Sequence, residues 1–416
     1  MSWLNVRDRS AYLRMTAVLF MVFAAGGLIN PLMSVYVQSV GASTAQIGLT
    51  VAVFQAASLA SQYWWGNRSD RIGRRKPLVL IGTAGMALGY VATASVNWYG
   101  WLFPIRIVEG LAMAAYQAGS LALIGDVLED EAARGRLMGL YRSLGSLAFA
   151  GAALTGGVLA DQFGLRTPLL LAASFLALAF LLLLGVRERV VAQPPPAAMP
   201  LAGAPAAPER LADVLPRDAR ARMVLWSFLA LSFVWFFGMG SVVSLWPVYM
   251  RGVGYTQTYV SGLWALAALG EVPCLMIAGW LADRWGRKWV IIGGVTGMAF
   301  VYTAYTLSTT LAWLIPVQMI RSLAYSAFET PAMLYATELG LRRQRGRLSG
   351  LYYTASGVGG IAGAALGGAA AQLSGLPPMY RSVALVMGAV ALATAWLMPR
   401  LRAPSTTEAP APVPGA

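Results

Sequence analysis

The sequence predicts an all-α membrane protein in which twelve transmembrane helices form two pseudo-symmetric bundles of six. Three observations support this fold class. Apolar residues make up 58% of the 416 residues and charged residues only 12%, whereas about a quarter of a soluble domain is charged. Long stretches carry no charge at all, and a polar turn occurs once in each half of the chain.

The charge-free stretches are long enough to cross a membrane. A helical crossing needs about 20 residues, and no charge occurs in 15–67, 77–105, 289–320 or 348–380. Helices are expected because each backbone amide in lipid must find a partner within its own segment. The alternating polarity of transmembrane strands is not visible. The expected crossings are 15–38, 46–65, 77–96, 100–124, 138–160, 167–186, 223–250, 257–281, 289–308, 311–334, 347–372 and 379–399.

The basic residues of the loops indicate the orientation. All of them lie on the same side as the two termini except Arg166, Arg251 and Arg381. Because cytoplasmic loops are enriched in Lys and Arg, both termini are expected in the cytoplasm, and the protein is expected to be a multi-pass component of the plasma (inner) membrane. The net charge of +14 then predicts contact with anionic lipid head groups of the bilayer, and no nucleic-acid partner.

The chain is expected to divide near its centre. Residues 1–190 are predicted to form the first six-helix bundle and 223–402 the second. The segment between them, 191–222, contains Pro194-Pro195-Pro196 and many alanines. This composition neither propagates a helix nor forms a core, which indicates a cytoplasmic linker. The tail, 403–416, is rich in Pro, Thr and Ala and is expected to be disordered.

The repeated polar turn is the most specific motif. Its first copy runs from Gly66 to Lys76, and its second, 213 residues later, from Gly279 to Lys288. One such turn per half indicates a duplicated bundle. Both copies resemble the loop signature G-x-x-x-D-R-x-G-R-R-K of the major facilitator superfamily, a family of secondary transporters; Trp289 stands where the signature ends in Lys. The expected cytoplasmic gate comprises Gly66, Asp70, Arg71, Gly73, Arg74, Arg134, Asp283, Arg284, Gly286 and Arg287.

Other features recur at a similar offset, which supports the duplication. Arg106 has its counterpart at Arg321, and Gly156-Gly157 at Gly367-Gly368. The pattern is most similar to the twelve-helix drug–proton antiporter-like members of the superfamily. Those proteins usually have a Gly-Pro pair before Gly-Gly in the fifth helix. This chain has Ala152-Ala153 there, so the antiporter marker is half present, which counts against export.

Charged residues inside the crossings of the first half point to a functional site. Each costs at least about 2.5 kcal/mol at the bilayer centre unless it is paired or faces a wet cavity. Arg106 and Glu109 are three residues apart, so they share a helix face and are expected to form an ion pair. Arg106 also lies in a segment similar to the superfamily's R-x-x-Q-G motif, with Glu109 replacing Gln. The pair either forms part of a substrate or proton site or only ties helices together.

The second half contains Glu271, Arg321 and Glu329 within its crossings. Tyr325 lies midway between Arg321 and Glu329, and this spacing places all three on one face. Glu271 has only apolar or small neighbours within a turn, so burial should favour its neutral form and make it the proton carrier. Alternatively Glu271 caps a backbone group or pairs permanently with Arg321, and Glu329 is then the next candidate. Side chains that could complete a pocket, or simply pack, are Asn30, Gln55 and Trp235.

The residue content excludes several functions. Histidine is absent and Cys274 is the single cysteine, so the sequence predicts no zinc or other metal site and no histidine-based acid–base catalysis. No phosphate-binding loop of the form G-x-x-x-x-G-K-[ST] occurs, which argues against an ATP-driven pump. We therefore expect no enzymatic activity and no cofactor, with a proton gradient as the energy source.

The function expected from these features is secondary active transport of a small molecule by alternating access, carried out by a monomer. Proton-coupled efflux of amphipathic compounds is the favoured interpretation, on the resemblance and on the aromatic-rich crossings. Proton-coupled uptake of a sugar, nucleoside or organic acid is the alternative. A lipid translocase, which would show a laterally open groove, or a receptor that carries no flux, is the alternative from another class.

The repeated turn gives a first testable prediction. If the Asp70 carboxylate latches the outward-facing state by pairing with Arg74, Arg134 or Arg136 and with a helix N-terminus, then Asp70→Asn should preserve expression and folding but abolish transport. Flux measured in liposomes that contain equal amounts of wild-type and variant protein checks this. Near-normal flux in the variant would leave the motif as a topology signal only.

Overall fold

The computed structural model describes residues 9–72, 74–128, 134–186, 219–338 and 345–397. Within these ranges the regular structure is helical, as the sequence predicts. The helices of the first half are α1 (Arg9–Ile29), α2 (Met33–Ser39), α3 (Thr44–Ile72), α4 (Lys76–Ser95), α5 (Leu102–Val127), α6 (Arg134–Phe163) and α7 (Arg166–Leu184). Those of the second half are α8 (Ala219–Gly238), α9 (Trp246–Gly252), α10 (Gln257–Trp285), α11 (Arg287–Ala304), α12 (Leu311–Glu338), α13 (Arg345–Ser374) and α14 (Leu376–Leu397).

These helices provide the twelve predicted crossings. The first consists of α1 and α2, and the seventh consists of α8, a π-helical turn (Met239–Val243) and α9. Among the described residues, nine spans are long and apolar enough to cross a membrane by themselves. The other three crossings are α11, α12 and α13, in which charged, hydroxyl or glycine residues lower the mean hydropathy. The predicted linker and tail lie almost wholly outside the described residues, so the division into domains stays a prediction.

Both composite crossings break beside a proline. The first crossing is interrupted between Ile29 and Met33, around Asn30-Pro31, and the seventh just before Trp246-Pro247. Proline cannot donate a backbone hydrogen bond, so each break leaves backbone carbonyl groups without their helical partner. One of them is used: the side-chain amide of Gln257 donates to the Pro31 carbonyl over 2.9 Å. This contact joins the two halves.

The two halves repeat the same packing. In the first half α1 contacts α6 and α7, α3 contacts α5, and α4 contacts α5 and α7. In the second half α8 contacts α13 and α14, α10 contacts α12, and α11 contacts α12 and α14. The halves meet mainly along two seams, α3 against α13 and α6 against α10. Large apolar side chains such as Trp396, 92% exposed, cover the outer surface, as expected of groups that face lipid.

Two lysines fix the helix ends on one face of the bundle. We call this the terminal face, because the described chain begins and ends there; the opposite face is the far face. The Lys76 ammonium donates to the Leu184 and Val186 carbonyls over 2.9 and 2.8 Å, where α7 ends. The Lys288 ammonium donates to the Ala395 carbonyl in the last turn of α14 over 2.6 Å. Both cations therefore lie at the negative end of the last helix of their own half.

These contacts explain the departure of the second turn from the signature. A strict alignment of the two turns matches Lys76 with Trp289, but Lys288 makes the equivalent contact from one position earlier. The Lys288 ammonium also lies 4.7 Å from the centre of the Trp289 ring, which adds a cation–π contact. The second turn thus keeps a lysine that binds the end of the last helix of its half, although this lysine stands one position earlier in the motif.

Replacement of Lys288 should destabilise the second half. Lys288→Met removes a charge-assisted hydrogen bond from a buried position, a loss of about 1–3 kcal/mol, so the melting temperature of the detergent-solubilised protein should fall. Lys76→Met should act similarly. The exposed Arg222 provides the control, since Arg222→Met removes a cation without a described contact. Equal melting temperatures for all three variants and wild type would contradict a capping role.

Candidate functional site

A cavity of about 710 Å³ lies between the two halves. Its walls come from α1–α5 on one side and from the seventh crossing, α10, α12 and α13 on the other. Aromatic side chains form much of the surface, among them Phe54, Tyr90, Phe236, Trp264 and Tyr352. Most of the surface is apolar, and the polar side chains within it include Asn30, Gln55, Arg106, Gln117 and Glu329. An apolar cavity with a few convergent polar groups is typical of small-molecule sites.

The cavity is closed toward the far face and extends toward the terminal face. Near the far face, small residues bring the two halves into direct contact: a Cβ placed on Gly368 would lie 2.9 Å from the Gly48 Cα. Ala150 and Ala153 of α6 pack with Ala265 of α10 along the other seam. Toward the terminal face the cavity includes Gln62, Gln117 and Tyr353, and Tyr353 is 52% exposed.

Arg106 and Glu109 form the ion pair that their spacing predicts. The Arg106 Nη1 lies 2.9 Å from Glu109 Oε2, and the Thr93 hydroxyl donates to Glu109 Oε1 over 3.0 Å. Gly89 leaves the room for the Glu109 side chain, because a Cβ there would lie 3.0 Å from Oε1. Glu109 is fully buried and does not reach the cavity. Its charge is therefore balanced inside the first half.

Arg106 is the member of the pair that faces the cavity. Its guanidinium lies 5.8 Å from the centre of the Phe54 ring, and both residues line the cavity. Among the described residues the buried Arg106 Nη2 has no hydrogen-bond partner. Because a buried donor without a partner is costly, this nitrogen is available to an acceptor group of a molecule in the cavity.

The charges of the second half are arranged more loosely. Glu329 lines the cavity, with the indole of Trp235 beside its carboxyl group. Glu271 lies in electrostatic range of Glu329 and of Arg321. Within the described residues none of these three forms an ion pair within 4 Å. The Arg321 guanidinium instead lies 5.3 Å from the centre of the Trp264 ring, a cation–π contact.

The structure therefore separates the candidate residues into two groups. Four of them line the cavity: Asn30, Gln55, Arg106 and Glu329. Five lie behind its wall. Glu109 pairs with Arg106, while Arg321, Glu271 and Tyr325 form one electrostatic cluster with Glu329. Trp235 is fully buried and stacks on Phe328 with ring centres 4.2 Å apart.

The sequence pattern does not point to several of the wall residues, among them Ser34, Phe54 and Trp264. A signal for Trp264 was present, because it precedes Glu271 by seven residues and so shares its helix face. Ser34 carries no such signal. It enters the wall because the chain breaks at Pro31, and its buried hydroxyl has no partner among the described residues.

The predicted gate is described only in part. Gly73 and the side chains of Asp70, Arg71 and Arg134 lie outside the described residues. The Arg284 guanidinium lies 5.3 Å from the centre of the Trp280 ring, and Asp283 is exposed. Gly286 has φ of 86° and separates α10 from α11. The proposed latch at Asp70 therefore stays a prediction.

Comparison with known families decides the identity of this architecture. The family model of the Major Facilitator Superfamily matches residues 15–276 and again 263–415. The chain belongs to the Major Facilitator Superfamily. It is thus a multi-pass membrane transporter. The two seams and the cavity lie between the duplicated bundles of this transporter.

Named relatives cover most of the chain. It is 28% identical over 403 residues to a Deinococcus radiodurans protein provisionally named a sugar efflux transporter, covering 93% of this chain and 96% of the relative. It is 26% identical over 282 residues to the multi-drug resistance efflux pump PmrA of Streptococcus pneumoniae, covering 66% and 67%. The crystal structure of the nucleoside transporter NupG superimposes with a TM-score of 0.78 at 15% identity, covering 93% and 98%. This structural likeness confirms the fold.

The Arg106–Glu109 pair should be strongly coupled in stability. Arg106→Met leaves the Glu109 charge buried without its partner, so the melting temperature should fall by an amount equivalent to about 3–5 kcal/mol. The double variant Arg106→Met/Glu109→Gln removes both charges and should recover most of this loss. Thermal unfolding in detergent measures both.

Arg142→Met supplies the control, because Arg142 is an exposed cation of α6. A double variant no more stable than Arg106→Met would show that the two side chains are not energetically coupled.

Proposed function

We propose that this transporter exports small amphipathic compounds in exchange for protons, with one binding site in the cavity between the halves. The observation that carries the proposal is the composition of that cavity. Both halves contribute to it, six aromatic side chains lie in its walls, and it contains one guanidinium and one carboxyl group, from Arg106 and Glu329. A site shared by two halves changes its access when the halves rock against each other.

The cavity suits an amphipathic molecule of moderate size. Its volume of about 710 Å³ is within the usual range of small-molecule sites, about 300–1,000 Å³. Rings such as Phe54 and Trp264 offer flat apolar surface, while Arg106 Nη2 offers a donor. The relatives named for sugar and multidrug efflux favour export as the direction.

We assign proton exchange to Glu329 rather than to Glu271. Glu329 lines the cavity, whereas Glu271 lies behind the wall in range of Arg321. No described Lys or Arg forms an ion pair with Glu329. A carboxyl group in the wall without a fixed cation can hold a proton or interact with a substrate, and the two events then compete. Such competition couples the substrate to the proton.

The expected orientation gives the order of steps in export. If the terminal face is cytoplasmic, as the loop cations indicate, the described state gives the cavity access from the cytoplasm. An exporter loads its substrate in that state. The proton then enters from the opposite side after the halves rock.

Uptake of a hydroxylated solute is the second candidate. The observation that favours it is a group of amide side chains in the wall, namely Asn30, Gln55, Gln62 and Gln117. Amides can both donate to and accept from sugar or nucleoside hydroxyls. The Ala152-Ala153 pair, which stands in place of the antiporter Gly-Pro, also fits uptake.

Transport in liposomes distinguishes these functions and tests the assignment of the proton. Purified protein is reconstituted, a pH gradient is imposed in either direction, and cationic dyes, sugars and nucleosides are screened for uphill movement. We expect dyes to move against the proton flow. Glu329→Gln should retain exchange of substrate between the two sides but lose uphill movement, whereas Glu271→Gln should retain both.

Two results would contradict the proposal. Normal uphill movement by Glu329→Gln would show that this carboxyl group does not carry the proton. Movement of sugars or nucleosides with the proton flow, without dye transport, would replace export by uptake.

A further inference from the structure

A four-fold pattern extends the repeated turn to both faces of the bundle. Glycine, then Asp or Gln four residues later, then glycine three residues after that, ends α3, α6, α10 and α13. The copies are Gly66/Asp70/Gly73, Gly157/Asp161/Gly164, Gly279/Asp283/Gly286 and Gly368/Gln372/Gly375. Two copies lie at the terminal face and two at the far face.

The described copies share their backbone geometry. Their second glycines, Gly164, Gly286 and Gly375, have φ of 88°, 86° and 85°, in the left-handed region that favours glycine. Each donates its N–H to the carbonyl four residues earlier, over 3.0, 3.1 and 3.0 Å. A glycine with positive φ thus ends each of these helices. The turn therefore sets the acidic or amide side chain at the same place relative to its helix in each copy.

The two faces differ in how the first glycine of the pattern is used. At the far face a Cβ on Gly157 would lie 2.7 Å from the Gln257 carbonyl oxygen, and one on Gly368 would lie 2.8 Å from that of Thr44. Both partners belong to the opposite half. At the terminal face, a Cβ on Gly66 or Gly279 would meet no described atom within 4 Å. Among the described residues, the first glycine of the pattern therefore contacts the opposite half in the far-face copies alone.

Asp161 makes the stronger of the two far-face contacts. Its carboxylate accepts hydrogen bonds from the backbone N–H groups of Gln257 and Thr258, over 3.0 and 2.7 Å, and from the Thr258 hydroxyl over 2.7 Å. These groups form the first turn of α10, the positive end of the helix. The Arg251 guanidinium lies 3.8 Å away. The carboxylate thus caps a helix of the other half.

Gln372 makes the corresponding contact without a charge. Its side-chain oxygen accepts a hydrogen bond from the Thr44 hydroxyl in the first turn of α3 over 2.9 Å. Charge-assisted hydrogen bonds are stronger than neutral ones. At the far face, each seam therefore contains a side-chain oxygen that accepts hydrogen bonds from the first turn of a helix of the other half. The contact of Asp161 is the stronger one.

We propose that Asp161 is a positioning residue for the transport cycle, and that its bonds to the first turn of α10 hold the far face closed. The cavity becomes accessible from the far face only when these bonds break. The proposal is independent of substrate and of transport direction, because it concerns the equilibrium between the two states of access.

Pulsed electron–electron double resonance measures this equilibrium directly. In a Cys274→Ser background, spin labels are attached to Ser95→Cys, at the far end of α4, and to Leu307→Cys, three residues beyond the end of α11; both positions are exposed. Asp161→Asn keeps the size of the side chain but removes its charge and one acceptor. The population with the longer label distance should rise about three- to tenfold, and Asp161→Ala should raise it at least as much. Asp161→Glu should restore most of the closed population.

Two further variants complete the test. Gln162→Ala, at the exposed neighbouring residue, should leave the distance distribution unchanged. Gln372→Glu places a second carboxylate at the start of α3 and should reduce the open population. Unchanged distributions in both Asp161→Asn and Gln372→Glu would overturn the proposal, as would an equal rise in Gln162→Ala. Because Gln372→Glu acts in the opposite direction, a folding defect cannot imitate the full result.

Discussion

A membrane offers no water to a buried charge or to an open backbone group, so each must find its partner within the protein. Most of the arrangement described above follows from this constraint. Glu109 is fully buried, and Arg106 and Thr93 supply its partners. The end of α7 receives Lys76 and the last turn of α14 receives Lys288.

The same constraint makes the exceptions informative. Arg106 Nη2 and the Ser34 hydroxyl are buried at the cavity wall and have no partner among the described residues. Glu329 lies in the same wall without a described ion pair. Because Glu109 and Lys288 do have partners, groups without one in the cavity wall indicate where a solute could supply the missing contacts. The functional site is thus defined by unsatisfied groups as much as by the shape of the cavity.

A second constraint is that the two halves must pack closely against each other. Small residues make this packing possible at one face at a time. Gly48 and Gly368 bring α3 and α13 together near the far face, and alanines do the same for α6 and α10. Lipid provides no hydrophobic drive for such contacts, so close packing and a few polar bonds hold them. A small number of bonds at the far face can therefore decide which state is populated.

The sequence predicts those features that depend on local spacing. The crossings follow from charge-free stretches, and the Arg106–Glu109 pair follows from a separation of three residues. Features that depend on contact between helices of different halves could not be predicted. The capping of α10 by Asp161 joins residues 96 apart in the chain, and no periodicity relates them. The presence of Glu329 in the cavity wall, with Glu271 behind it, depends instead on packing within the second half, namely on how α10 and α12 are rotated against each other.

The one-residue shift between Lys76 and Lys288 bears on how the two halves should be compared. A shift of one position in a helix turns a side chain by about 100° and moves it by about 1.5 Å, yet a flexible four-carbon chain spans this difference and delivers its ammonium to the same kind of carbonyl. The lysine contact is therefore common to both halves, although the position in the motif that supplies the lysine differs by one residue. Counterparts in the two halves are best paired by what their side chains touch, and a residue that looks lost in one half can be sought at the neighbouring position.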